Sequence, residues 1–199
     1  ADVLPAAPAD DPALPQAAHH LHDKSLLRHK ESVSPLAEFA ESKFKPVNAE
    51  WDADIDPGKT RRVICCSGKV FFDLRAARKE KGIKDIAIVR IAQLYPFPHH
   101  DFQEQINLYA NAREVLWCQE EPGNQGAWHR IQHYLLRHMR ADQALAYAMR
   151  KSSASPAAGY LSLHNEQQKE LVDAAFAEIT DNLVMPVQGT GRKGKKNAS

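Results

Sequence analysis

The sequence predicts an α/β domain with three layers, in which helices cover both faces of a mostly parallel β-sheet. Between residues 61 and 179, short apolar runs alternate with segments whose apolar residues recur at helical spacing. The apolar runs are hydrophobic at consecutive positions, as strands are when both faces of their sheet are covered. The chain has 199 residues, 43% of them hydrophobic, which is enough material for one such core.

The predicted elements follow one another in regular order. Strands are expected at residues 61–66, 85–91, 114–120 and 144–149, and helices at 69–81, 101–110, 127–139 and within 159–177. Gly82 suits the end of the first helix because glycine adopts the left-handed backbone conformation without strain. Pro96 and Pro98 exclude regular structure directly after the second strand.

The segments outside this alternation differ in composition. Residues 1–22 are rich in Ala and Pro, so they cannot bury enough apolar surface to offset their ordering entropy, and we expect a disordered segment or a linker. Residues 23–60 are interrupted by prolines and are expected to connect two domains. Residues 61–179 are expected to form the domain itself. The Gly- and Lys-rich residues 180–199 are expected to form a flexible basic tail.

Composition excludes several classes of protein. The net charge is +1 and basic residues do not interleave with aromatic ones, which argues against nucleic-acid binding. No run of 18 apolar residues occurs, so no membrane span is expected. Cys65, Cys66 and Cys118 lack the spacing of a disulfide framework, which indicates a reducing compartment. We interpret the adjacent pair as small buried hydrophobic residues of a strand.

Polar loops follow the predicted strands at the edge where α/β sheets bind ligands. In residues 67–69, backbone amides and Lys69 suit a phosphate group, although the other glycines of a phosphate loop are missing. The planar guanidinium of Arg150 also suits a phosphate, with an interdomain salt bridge as the alternative. Residues 119–126 suit either an anion site or a helix-capping loop that contacts a neighbouring domain, with Asn124 as the cap.

Other patterns give weaker indications. His129 and His133 are four residues apart on a predicted helix, a spacing that suits one metal ion. No carboxylate lies at a useful offset, so we predict no metal site, and a metal-dependent hydrolase remains only a third hypothesis. Ser153 and Ser155 have no general base at a recognisable spacing and lie beside a proline, which is typical of turns. We therefore predict no catalytic residue.

Four motifs, in this order and spacing, resemble the C-terminal domain of 2-oxoglutarate dehydrogenase E1 components. They are residues 66–74 (CSGKVFFDL), 87–98 (AIVRIAQLYPFP), 117–128 (WCQEEPGNQGAW) and 153–157 (SASPA), with Gly159 and His164 following. Residues 24–29 (KSLLRH) resemble the segment that enters this domain. Residues 1–22 depart from the family pattern, and Met149-Arg150-Lys151 replaces its usual Gly-Arg-Pro. A fragment, a divergent gene product and a split subunit are all consistent with these departures.

The resemblance implies a transketolase-like C-terminal domain. The whole family enzyme decarboxylates 2-oxoglutarate on thiamine diphosphate and Mg²⁺ in the tricarboxylic acid cycle. It then transfers the succinyl group to a lipoyl arm of E2, the dihydrolipoyl succinyltransferase. The Gly-Asp-Gly cofactor motif of the earlier domains does not occur in this sequence, so we expect this chain alone to hold no cofactor and to be inactive.

The resemblance also implies partners and site residues. The partners are the catalytic domains of E1, a second E1 copy in a homodimer, and E2. The location is the cytoplasm of a bacterium or the mitochondrial matrix of a eukaryote. Some relatives have a regulatory site for AMP or an acyl-CoA, which implies effector contacts at Ser34, Ser67, Lys69, Gln119 and Arg150. The interdomain loop would contain Glu120, Glu121, Asn124 and Gln125. A free-standing nucleotide or acyl-CoA binding module is the alternative function.

Overall fold

A computed structural model of the chain describes residues 26–33, 36, 40, 43–179 and 183–185. The chain divides into two compact units, residues 1–45 and 46–199. In the first unit, Leu26–Arg28 form one turn of 3-10 helix. Ser34 and residues 1–22 lie outside the described residues, so the predictions for them stay predictions.

Six strands of the second unit form one sheet. They are β1 (Val47–Asn48), β2 (Arg62–Cys66), β3 (Ile86–Ile91), β4 (Glu114–Pro122), β5 (Ala144–Arg150) and β6 (Leu183–Met185), in the spatial order β1-β3-β2-β4-β5-β6. The four central strands run parallel to one another, and β1 and β6 pair antiparallel at the two edges. The predicted α/β class with a mostly parallel sheet is therefore confirmed.

Four helices cover this sheet on two faces. They are α1 (Val70–Lys81), α2 (His99–Leu108), α3 (Trp128–His138) and α4 (Leu161–Phe176). Helix α1 contacts α4, and α2 contacts α3. Successive side chains of β2 point to opposite faces of the sheet. Val63 points to the face covered by α2 and α3, where it lies in the core with Phe102 of α2 and Ile131 of α3. Arg62 points the other way and donates to the Ala175 carbonyl oxygen of α4 at 2.8 Å. The three-layer prediction is confirmed.

The order of the strands reverses between β2 and β4. The chain continues from β2 to β3 on one side, and from β4 to β5 on the other. Loops that leave neighbouring parallel strands in opposite directions open a crevice at the carboxyl ends of those strands, which is where open α/β sheets bind ligands. The loop after β2, residues 67–69, and the loop after β4 therefore flank this switch point.

The compact unit begins at Pro46, so the domain boundary predicted at residue 61 lies too late in the sequence. Strand β1 pairs with β3, and two acidic residues that follow it bind Arg78 of α1. The Arg78 Nη2 atom lies 2.7 Å from Glu50 Oε1 and 2.6 Å from Asp52 Oδ2. Glu50 also accepts a hydrogen bond from the Ile88 amide of β3, at 2.7 Å. These contacts attach the segment to both the sheet and α1, and we call Glu50, Asp52, Arg75 and Arg78 the edge network.

Several element ends differ from the prediction. Gly82 closes α1 in the left-handed conformation at φ 64, as expected. Helix α2 begins at His99 instead of residue 101. Pro98 is the residue directly before its first turn. Strand β4 continues to Pro122, which pairs with Arg150 after a register shift. Residues 183–185, expected in a flexible tail, instead form β6 against β5.

Candidate functional site

A network of polar side chains lies at the switch point and joins four elements of the fold. Lys69, directly before α1, places Nζ 3.0 Å from Glu120 Oε1 and 3.2 Å from Asp73 Oδ2. Gln168 of α4 donates from Nε2 to the same two oxygens, at 2.9 Å and 2.8 Å. Arg150, at the end of β5, donates to Gln168 Oε1 at 2.7 Å. We call these five residues the strand-end network.

The ion pair between Lys69 and Glu120 is partly shielded from solvent, since each side chain is 25% exposed. Burial opposes the charge on Lys69, but the hydrogen bond and attraction from Glu120, with a further contribution from Asp73, outweigh it and raise the pKa of Lys69. Lys69 is therefore held in its charged form, and an anion that approaches it competes with Glu120.

Arg150 is only 8% exposed, and neither of its side-chain hydrogen-bond partners is an acid. Besides the bond to Gln168, its Nη1 atom lies 3.3 Å from His164 Nδ1. Its Nε atom is buried without an acceptor. Within the part of the chain that the structure describes, no salt bridge to Arg150 occurs. Buried arginines are ordinarily paired with an acid, so Arg150 retains unused capacity for an anion.

Gln119 does not join the strand-end network. It is 2% exposed, and its Oε1 atom accepts from Trp117 Nε1 at 2.9 Å and from the Trp128 amide at 3.0 Å. Its Nε2 atom donates to the Gln125 carbonyl oxygen at 2.8 Å. These bonds occupy the side-chain amide, so Gln119 orders the loop between β4 and α3. Its predicted contact with an effector therefore has no geometric support here.

The same bonds correct the prediction that Asn124 caps α3. That helix begins after Ala127, which provides no side-chain cap, and the first amide of the helix is the Trp128 N–H that Gln119 accepts. Gly126 has φ 69, and a Cβ atom there would lie 2.8 Å from Gln119 Nε2. The close approach of Gln119 to this turn therefore depends on glycine.

Asn124 and Gln125 join two loops of the same edge. Asn124 Nδ2 and Gln125 Nε2 donate to the Ser153 carbonyl oxygen at 3.0 Å and 2.9 Å. The Ser153 amide donates back to Asn124 Oδ1 at 3.1 Å. Glu121 of the same loop is exposed. These contacts occur inside one compact unit, and the predicted interdomain role of the loop stays a prediction.

The predicted effector residues are thus divided by the structure. Ser67 and Lys69 lie after β2, and Arg150 is connected to Lys69 only indirectly, through Gln168 and the carboxylates of Asp73 and Glu120. Asp73 and Gln168 were not predicted from the sequence. Asp73 lies four residues after Lys69 on a predicted helix, a spacing that brings side chains together and could have identified it. Gln168 has no local signal of this kind.

The three cysteines are buried on the central strands, which was predicted for Cys65 and Cys66. Burial raises the pKa of the Cys65 thiol to about 12, and it raises the pKa values of Cys66 and Cys118 as well. A thiol with a raised pKa stays protonated and is a weak nucleophile. The cysteines therefore act as small hydrophobic side chains.

Among the described residues, one group of three side chains has the ligand types that bind metal ions. His100, Asp101 and Glu104 place one ligand atom each within 4.8 Å of one another, on the outer face of α2. Exposed groups of this kind are common without an ion, and we assign no metal to it. His129 and His133 are not part of such a group in these residues. In the same part of the chain, no helix has the length and apolarity that a membrane crossing requires.

The doubly covered parallel sheet and its polar switch point define an open α/β domain. A family model described as "2-oxoglutarate dehydrogenase C-terminal" matches residues 33–176. The chain belongs to this family, which confirms the resemblance drawn from the motifs.

The curated relatives are bacterial 2-oxoglutarate dehydrogenase E1 components. The protein of Cupriavidus necator is 50% identical over 156 residues, which cover 78% of this chain and 16% of that protein. The Azotobacter vinelandii protein is 50% identical over 159 residues, covering 78% and 17%. The Haemophilus influenzae protein is 48% identical over 154 residues, covering 77% and 16%. The chain thus matches about a sixth of the length of these relatives.

A solved structure described as a split-gene transketolase, an inactive β4 tetramer, is also similar. Its TM-score is 0.47 at 16% sequence identity, over 67% of this chain and 41% of that one. We base no argument on a similarity of this size.

Proposed function

We propose that this chain serves as the C-terminal domain of a 2-oxoglutarate dehydrogenase E1 and that its own contribution is to stabilise the E1 assembly. The identity of 50% to E1 components supports this role. In such an assembly, E1 oxidatively decarboxylates 2-oxoglutarate and transfers the succinyl group to lipoyl E2 in the tricarboxylic acid cycle. The E1 homodimer and E2 would be the partners, in the cytoplasm of a bacterium.

The thiamine diphosphate and Mg²⁺ of that reaction do not fit the switch point or the other residues that the structure describes. The carboxylates at the switch point, Asp73 and Glu120, both bind the Lys69 ammonium, whose positive charge would repel a metal cation there. The sequence also contains no Gly-Asp-Gly motif. We therefore place the cofactor and the chemistry in the catalytic domains of E1, whether these lie on the same chain or on another.

The observation that best supports an assembly role is the uneven burial of α4. Tyr160 and Leu161, at the start of the helix, are 77% and 74% exposed, and Leu163 is 41% exposed. Leu171 and Phe176 of the last turns are buried, at 4% and 8%. Contiguous large apolar side chains on a surface mark interaction sites. We propose that this α4 patch, defined as Tyr160, Leu161 and Leu163, packs against the catalytic domains of E1.

A binding experiment tests this role. The partner is the Azotobacter vinelandii E1 component, shortened by the C-terminal region that matches this chain. We expect the two proteins to associate. We expect Leu161→Ser to weaken the association about tenfold or more, because burial of a leucine contributes roughly 1.5–3 kcal/mol and about 1.4 kcal/mol corresponds to a factor of ten.

Leu108→Ser is the matched control, since Leu108 is 54% exposed at the far end of α2. This change should leave the affinity within about twofold, as expected for a surface position outside the interface. The proposal fails if the folded chain does not bind the shortened E1, or if the control weakens binding as much as Leu161→Ser.

We propose a second function, the binding of an anionic effector such as AMP or an acyl-CoA at the strand-end network. The observation that favours it is the buried guanidinium of Arg150, whose Nε atom has no acceptor. Lys69 and Ser67 lie at the same edge of the sheet. An effector phosphate would bind the guanidinium with paired hydrogen bonds and would compete with Glu120 for Lys69.

Calorimetry with AMP and with acetyl-CoA tests the second function. Arg150→Gln should abolish binding of whichever ligand binds the unmodified chain. Lys151→Gln is the control, because Lys151 is the exposed neighbour of Arg150 and should change affinity little. If neither ligand binds, effector binding is wrong. If a ligand binds but the shortened E1 does not, the chain is a free-standing regulatory module.

A further inference from the structure

Two histidines connect the beginning of α2 to the end of α3. The Nδ1 atom of His99 lies 2.8 Å from the Nε2 atom of His138. On its other side, His138 places Nδ1 2.7 Å from Gln103 Oε1. These three side chains form a continuous hydrogen-bonded chain, in which His138 of α3 lies between His99 and Gln103 of α2.

The geometry favours a shared proton over a bound metal ion. The imidazole centroids of His99 and His138 are 5.1 Å apart, and the two nitrogens are 2.8 Å apart. The difference equals about twice the distance from the centre of an imidazole to its nitrogen, so the nitrogens point almost directly at each other. Two metal ligands instead direct their lone pairs at a third point between them.

The positions of the protons follow from Gln103. Its Nε2 atom donates to Asn107 Oδ1 at 2.9 Å, which leaves Oε1 to accept from His138. His138 therefore carries its hydrogen on Nδ1 and offers the lone pair of Nε2. His99 must then donate from Nδ1 to this lone pair when both rings are neutral.

The surroundings of His138 are mostly aromatic. Phe97 is stacked on its ring at 6.3 Å between centroids, and Phe102 meets it edge-on at 5.8 Å. The titratable groups nearby are His99 from α2, and Arg137 and Tyr134 from α3. Burial lowers the pKa of His138 below its ordinary value of 6.5, and repulsion from His99 and then Arg137 lowers it further.

We propose that His99 and His138 form a proton-operated clamp between α2 and α3. One added proton leaves the clamp closed, because a single imidazolium still donates to its neutral neighbour through a charge-assisted hydrogen bond. A second proton opens it, because N–H then faces N–H and two positive charges lie in contact. The two steps belong to the pair rather than to either ring.

The sign of the pH dependence follows from linkage. Because the pKa of His138 is lowered in the folded chain, the unfolded chain binds more protons in the acidic range. The clamp therefore contributes its full stability above pH 6.5, the ordinary value, and loses it as the pH falls below 6.5. Acid should loosen the contact between α2 and α3 before the whole chain unfolds.

Nitrogen NMR of the histidine rings in the full chain tests the proton positions without a variant. At neutral pH, we expect His138 to be protonated on Nδ1 and not on Nε2, and to titrate below 6.5. A hydrogen on Nε2 of His138 at neutral pH would overturn the proposal. Titration of His138 at or above its ordinary value would overturn it as well.

A variant tests the clamp itself. In His138→Gln, the amide oxygen can replace Nε2 as the acceptor from His99, but it cannot take up a proton. The urea midpoint of the unmodified chain should fall between about pH 7.5 and about pH 5 more than that of the variant. His100→Gln is the control, because His100 follows His99 on α2 and its side chain is 84% exposed. Parallel pH profiles for all three proteins would contradict the clamp.

Discussion

Arg78 and Arg150 are both buried, with 1% and 8% exposed, but their partners differ. Arg78 binds two carboxylates, Glu50 and Asp52, and the Ile86 carbonyl oxygen. Arg150 binds a histidine and a glutamine, and one of its N–H groups has no acceptor. A cation whose hydrogen bonds are completed by acids holds the fold together, whereas a buried cation without an acid is suited to an external anion.

The two arginines also differ in what their networks connect. The edge network attaches the segment after β1 to α1 and β3. The strand-end network joins the end of β5 to α4 beside the switch point, where ligands bind in open α/β sheets. The comparison therefore supports a structural role for Arg78 and agrees with the binding role that we propose for Arg150, and substitutions can separate the two.

The largest effect is expected for Arg78→Met. This change removes the arginine that binds Glu50 and one of the two arginines that bind Asp52, and breaking a buried pair in this way costs about 3 kcal/mol or more. Urea unfolding measures the free energy. Arg61→Met is the control, because Arg61 is 45% exposed and its ion pairs should contribute less than about 1 kcal/mol. Equal losses for the two variants would contradict the structural role of Arg78.

A smaller effect, seen as a pH dependence, is expected for Asp52→Asn. A hydrogen bond from Arg75 lowers the pKa of Asp52 well below its ordinary value of 3.8; burial opposes this shift and Arg78 adds to it. A lowered carboxyl pKa contributes stability that is present above 3.8 and is lost as the pH falls below it. Compared with the unmodified chain, the variant should therefore be less stable at neutral pH, and the difference in stability should be smaller in acid. Urea midpoints across this range measure the effect, and an unchanged acid profile would contradict it.

The smallest effect on stability is expected for Arg150→Met. The change removes bonds to His164 and Gln168 but also removes a buried charge without an acid, so the net cost should be below about 1 kcal/mol. Urea unfolding of Arg150→Met and Arg78→Met under the same conditions measures the difference between their free energies of unfolding. A loss as large as that of Arg78→Met would mean that Arg150 is structural, and the comparison would fail.

The sequence was sufficient to predict the features that depend on residues close to one another in the chain. The alternation of strands and helices is a local pattern, and the end of α1 at Gly82 depends on one residue and its left-handed backbone. Asn124 was wrongly expected to cap α3, because the actual acceptor, Gln119, is nine residues before the Trp128 amide that it binds. Local capping rules do not reach that distance.

The partners of the buried arginines depend on tertiary packing. Arg78 and Glu50 are 28 residues apart with β2 between them, and Arg150 and Gln168 are 18 apart with a loop and the first turns of α4 between them. Nothing in the spacing of these residues indicates that they meet. The boundary at Pro46 was missed for the same reason, since a two-residue strand and two acidic residues attach this segment to the domain.

The most direct test of the account is restoration of activity. The shortened Azotobacter vinelandii E1 component, supplied with thiamine diphosphate and Mg²⁺, is assayed for decarboxylation of 2-oxoglutarate with and without this chain. We predict no activity from the chain alone and recovery of activity when both are mixed, with less recovery for Leu161→Ser. Activity of the chain alone, or full activity of the shortened E1 without it, would contradict the proposed role.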